Sequence, residues 1–150
     1  MSASRKEWLL AIETQLNERA QSILDELKEL QEGNASNTKS TAGDKHDTER
    51  AMVHMEMENL SRRLNNERNL LRSFDALLTI VPLQQVHNGS IVETDRGSYL
   101  SGVACGKMKL NEEVIIGISL ESPLARGLMN KRPGDTVLIN GTAFEIKGLQ

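Results

Sequence analysis

Two stripes of apolar residues, each repeating at steps of three and four, constrain this chain more than any other feature. Leu9, Ile12, Leu16, Ala20, Ile23, Leu27 and Leu30 form the first. Val53, Met57, Leu60, Leu64, Glu67, Leu71, Phe74 and Leu78 form the second, with Glu67 its single polar member. This is the spacing of a coiled-coil seam, in which one narrow helix face is apolar and the rest is wetted. Neither helix can bury its stripe alone. The simplest solution folds the second back on the first as an antiparallel hairpin. Residues 32–43 carry no stripe and contain Gly33 and Gly43, so they read as an exposed loop. Ser4 is placed to cap the first helix. The second runs from about Lys45 to about Thr79, roughly 50 Å at the rise of an α-helix. Its stripe begins about two turns in, so a tip loop at about 32–47 lies at the far end of the hairpin.

Pro82 closes the helical half, and the texture then changes. Residues 89–94, 98–104 and 113–119 are short β-branched or apolar runs broken by glycine. Ser122 followed by Pro123 marks the start of a short helix, through N-cap and first-position preferences. Residues 132–135 form a turn. Asn140-Gly141 between residues 136–139 and 142–147 signals a two-residue hairpin. The expectation is an α+β chain: a coiled-coil hairpin over 1–82, then a small antiparallel β domain with one short helix over 83–150.

Composition limits the function classes. Trp8, Phe74, Tyr99 and Phe144 are the only aromatic residues, which suits slender helices plus a small domain. The formal charge is −3, with 14 acids and 11 bases in residues 1–82 and seven of each in 83–150. Such a chain is poorly suited to gripping nucleic acid through phosphates and better suited to a protein partner. Arg62, Arg63, Arg68 and Arg72 spread around the second helix and read as solvated ion-pair partners. Cys105 is the single cysteine, so no internal disulfide forms. His46, His54 and His87 lack metal-ligand spacing. No run reaches membrane-spanning length, and the N-terminus lacks the apolar core of a signal peptide. A cytoplasmic protein is expected.

Two stretches narrow the reading. Residues 122–137, SPLARGLMNKRPGDTV, resemble the conserved stretch of Gre-family C-terminal domains in both residue type and spacing. Residues 43–47, GDKHD, resemble the shorter motif at Gre tips and fall between the two helices. The resemblance implies an FKBP-like C-terminal domain that docks at the rim of the secondary channel of bacterial RNA polymerase. Ser122, Pro123, Leu124, Arg126 and Gly127 are then the docking candidates. It implies a coiled coil that enters the channel. Asp44 and Asp47 would share a magnesium ion with the polymerase and assist cleavage of backtracked RNA, whose 3′ end is met only indirectly. The factor would not be an enzyme itself but would stimulate the polymerase's own nuclease, and would have no cofactor of its own. The family also associates it with DNA-bound transcription complexes.

Departures from the pattern keep a second reading open. Asp47 stands where the family usually has Glu, and Lys45 and His46 sit between the acids. A channel occupant that inhibits without promoting cleavage fits these residues too. Asp44 and Asp47 are also spaced as a near capping box, a role compatible with metal assistance. Glu49 reads as a solvated first-turn residue. Met57 belongs to the seam, while Met55 points away from it, as a partner contact or as plain surface. A prolyl isomerase is disfavoured because only Tyr99 and Phe144 could line a pocket, and fold does not carry function. A coiled-coil dimeriser is the remaining alternative; an intramolecular hairpin predicts a monomer.

Overall fold

A computed structural model of the chain describes the backbone of residues 3–37 and 44–150, and the side chains of 3–33 and 47–150. The order is α1 (Arg5–Asn37), α2 (Asp44–Leu77), β1 (Ile91–Thr94), β2 (Gly97–Ser101), β3 (Gly106–Leu110), β4 (Glu113–Ile118), α3 (Pro123–Leu128), β5 (Thr136–Ile139) and β6 (Thr142–Leu149). This is the α+β succession expected from the sequence.

Both helices run further toward each other than the stripes do. Of the expected loop over 32–47, residues 32–37 belong to α1 and residues 44–47 to α2. Losing the apolar stripe removes the seam but not the i to i−4 hydrogen bonds. Gly33 keeps a helical backbone, and a helical glycine costs only about 1 kcal/mol. The segment 38–43 lies outside the described residues.

By packing, the chain forms two compact units, one of Met1–Leu16 with Leu70–Gln150 and the other of Asn17–Asn69. The composition change at 82/83 marks where helix gives way to strand. The first turns of α1 and the last turns of α2 pack with the sheet.

In the first unit the six strands lie in the order β3-β4-β2-β1-β6-β5. All neighbours are antiparallel except β2 and β4, which run parallel with Ser98 opposite Ile115. The sheet is thus mostly antiparallel, as expected from the sequence, with this one parallel pair inside it. The chain leaves β2, forms β3 at the edge, and turns back so that β4 fills the space between them. The sequence reading also missed β3. Its lysines, Lys107 and Lys109, face water while Met108 is buried, an alternation that protects an edge strand.

The two sheet faces carry separate cores, as the period of two requires. Ile91, Leu100, Met108 and Ile115 pack against Trp8, Ile12, Leu16, Phe74 and Leu77. Val92, Val137 and Ile146 pack on the other face with Val86 and with Leu128 of α3. Each such side chain contributes about 1.5–3 kcal/mol on burial. At the end of α2 the stripe corrects by one residue: Leu77 is 1% exposed, whereas Leu78 is 46% exposed. There the seam yields to packing on the sheet, where Leu77 lies beside Gly89. Trp8, outside the stripe, is fully buried for the same reason.

Local hydrogen bonds fix the ends. The Ser4 N–H donates to Glu7 Oε2 at 2.7 Å and the Glu7 N–H donates to Ser4 Oγ at 3.2 Å, a reciprocal capping box. Arg5 Nη1 donates to the carbonyls of Gly89 at 2.6 Å and Gln150 at 3.2 Å. Burial lowers the Arg5 guanidinium from its ordinary pKa. Gln15 Nε2 donates to the Lys109 carbonyl at 2.9 Å, and its Oε1 accepts from the Lys109 N–H at 3.4 Å. Asn140 and Gly141, at φ 50 and 81, turn β5 into β6 with Ile139 opposite Thr142. Positive φ at both central residues is the requirement of a type I′ turn.

In the second unit Ile23 and Leu27 of α1 meet Leu60 and Leu64 of α2, flanked by Ala20, Leu24, Leu30 and Met57. Arg19 Nη2 donates to Glu67 Oε1 at 2.7 Å. Residues early in α1 therefore meet residues late in α2, and the helices are antiparallel. Glu67, the polar member of the stripe, is answered by a charged partner reaching across the seam.

Candidate functional site

The first turn of α2 holds the first candidate site. Asp44 is the first residue of α2, and Asp47 lies in its first turn with its side chain exposed. Residues three apart on a helix share a face. A helix N-terminus favours negative charge through its unpaired N–H groups, so carboxylates are stable there without an ion pair. The side chain of Asp44 lies outside the described residues, as do those of Lys45 and His46. Glu49 is exposed, as its solvated reading requires. Among the described residues, no three His, Cys, Asp or Glu side chains converge into a metal-holding group. Two carboxylates are what a magnesium ion usually takes from protein, the rest being water and substrate oxygens. Asp44 and Asp47 supply that number of carboxylates at one helix end.

Next along α2, Met52, Met55, Glu56, Asn59 and Arg62 line a shallow groove. Met52 is 65% and Met55 69% exposed, whereas Met57 packs at the seam. The sequence reading singled out Met55 but not Met52. The three-residue spacing of these two methionines was the signal that joins them.

The second candidate site is α3. Ser122 Oγ accepts from the Ala125 N–H at 3.2 Å and donates to the Ser119 carbonyl at 2.7 Å. Pro123 occupies the first turn, where its missing N–H costs nothing. Ala125 and Leu128 are buried, and Leu124 packs against the core of that sheet face. A Cβ on Gly127 would stand 2.9 Å from both Cδ1 and Cγ1 of Ile139, so the missing side chain lets α3 approach β5 closely. Local structure thus accounts for Ser122, Leu124 and Gly127. Pro123 and Arg126 are exposed, and of the five candidates these two present the most surface to a partner.

Tyr99 and Phe144, the aromatic pair weighed above for a proline pocket, contact each other edge-on at 6.4 Å. The Arg96 guanidinium lies 5.8 Å from the Phe144 ring centre, and its Nε donates to the Ala143 carbonyl at 2.6 Å. These rings engage each other and a cation. Among the described residues, no helix is long and apolar enough to cross a membrane.

No protein-family model matches the chain, and no curated protein matches it. Similar solved structures include the transcription factor Gfh1, at 17% identity and a TM-score of 0.37, covering 93% of this chain and 94% of that one. The GreA factor homolog 1 (Gfh1) protein of Thermus thermophilus is similar at 18% identity and a TM-score of 0.35, covering 87% of this chain and 94% of that one.

Proposed function

We propose that this protein is a Gre-like factor that binds RNA polymerase, inserts its helical hairpin into the secondary channel, and stimulates cleavage of backtracked RNA. The observation that carries the reading is the position of Asp44 and Asp47 in the first turn of α2, next to the chain that joins the two helices. Exposed Pro123 and Arg126, on the helix that resembles the Gre docking stretch, support attachment to the polymerase.

Asp44 and Asp47 would hold, together with polymerase carboxylates, a magnesium ion that polarises phosphoryl oxygen and activates water. The chain's own task is placement. A two-helix coiled coil is narrow enough to enter a site that a globular domain cannot. The seam of Ile23, Leu27, Leu60 and Leu64 keeps the helices paired behind the acids.

The test is a purified bacterial polymerase stalled in a backtracked state. Added protein should shorten the RNA faster than polymerase alone, and the double variant Asp44→Asn, Asp47→Asn should lose that effect while still binding. Unchanged cleavage with the wild-type protein would sink the cleavage reading.

A second reading rests on the short side chain of Asp47 and on Lys45 and His46 between the two acids. A channel occupant with these residues inhibits the polymerase without promoting cleavage. Suppressed RNA synthesis, with no shortening of backtracked RNA, is its signature in the same assay.

A further inference from the structure

The unit that contains the sheet also presents an apolar groove unrelated to Asp44, Asp47 or α3. It is lined by Arg5, Lys6, Leu9, Leu10 and Glu13 of α1, with Leu78, Ile80 and Pro82 as the opposite wall. Leu10 is 65% and Leu78 46% exposed, and Val81 beside them is 74% exposed. Exposed apolar side chains grouped this way mark an interaction surface.

The charge pattern identifies the occupant. Lys6 and Glu13 are seven residues apart, so they lie about 10 Å apart along the axis and within about 20° of each other around it. Leu9 and Leu10 sit between them. The pattern is its own complement under a two-fold rotation through the Leu9–Leu10 peptide. That rotation sets Lys6 against Glu13 of a second copy, Glu13 against Lys6, and Leu9 against Leu10. Among the described residues, neither the Lys6 nor the Glu13 side chain has a hydrogen bond or ion pair within the chain. A symmetric homodimer needs a patch that matches itself in this way.

We propose that this face binds a second copy of the chain, α1 against α1 in antiparallel sense, with Leu10 at the centre and two Lys6–Glu13 pairs at the flanks. With Leu10 the one strongly exposed apolar side chain that α1 brings to the contact, the dimer is weak and concentration-dependent. Lys6 is exposed and Glu13 half-buried, so solvent reaches the flanking pairs and added salt weakens the dimer further.

Sedimentation equilibrium of the 150-residue chain, from low micromolar to near-millimolar concentration, tests this. The wild type should pass from monomer to dimer. Leu10→Asp should remain monomeric. Lys6→Glu alone and Glu13→Lys alone should each weaken association by about tenfold or more, because each sets like charges together. The double variant Lys6→Glu, Glu13→Lys should recover it, since both pairs are restored with reversed sign. Lys6→Glu places an acid in the first turn of α1, where the dipole favours it, so folding is preserved. Circular dichroism checks this for every variant. A wild type monomeric throughout, a folded Leu10→Asp that still dimerises, or a double variant no better than the single ones would overturn the proposal. This outcome is independent of the polymerase assay.

Discussion

Replacing Leu60 by Ala tests whether the two compact units are stabilised separately. Leu60 is 2% exposed and packs with Ile23, Leu27 and Leu64, the other buried apolar residues described in that cluster. Four such side chains contribute roughly 6–12 kcal/mol of gross burial energy. A Leu→Ala change in a packed core costs about 2–5 kcal/mol, the lost transfer energy plus the cavity left behind. The variant therefore forfeits a large part of what holds Asn17–Asn69 together, while the clusters on the two sheet faces keep every contact. Amide hydrogen exchange reads this residue by residue. Slow amides within 17–69 should speed up by about 30-fold to about 5,000-fold, the same free energy expressed as a ratio. Amides of β1, β2 and β4 should keep their rates. The reverse result belongs to Phe74→Ala, which empties a site in the sheet-facing cluster at a cost of about 3–5 kcal/mol. Equal acceleration across both units in Leu60→Ala would refute the separation, and unchanged rates in 17–69 would refute the assignment of the seam.

Two smaller perturbations probe local structure. Ser4→Ala removes the acceptor for the Glu7 N–H and half of the capping box, and should cost about 0.5–2 kcal/mol in urea denaturation of the whole chain. Gly141→Ala forces a side chain into a left-handed backbone at φ 81 and should cost about 1–2 kcal/mol, read as an earlier thermal transition with the β5–β6 amides exchanging first.

What could be read from the sequence followed from short-range physics. The heptad stripes gave the helices and their antiparallel pairing, because apolar spacing alone decides which face is buried. Ser122-Pro123 gave the start of α3, and Asn140-Gly141 the β5–β6 turn, because cap and turn geometry admit few residue types. What escaped depends on tertiary context. Trp8 and Leu77 lie off the seam and are buried by the sheet, a partner no helical period can announce. The β3 strand alternates lysine with a single methionine and carries no β-branched residue, so its strand character comes from β4 beside it. The parallel pairing of β2 with β4 is a matter of topology, invisible to local pattern. At the candidate site, the carboxylates are legible as residue types at a boundary between helices, and the exposure of Met52 follows from its place off the seam, three residues from Met55.

The carboxamide of Gln15 has a consequence for how this protein meets other chains. It supplies one acceptor and one donor to the outer side of β3, standing in for a single peptide unit of a strand that is not there. With lysines on either side of Met108, an incoming extended segment would have to evict that amide and strip water from two cations. The opposite margin, β5, carries no such guard in the described contacts and exposes Leu138 at 73%. If the sheet ever recruits a foreign strand, growth begins at Thr136–Ile139 and proceeds in one direction only.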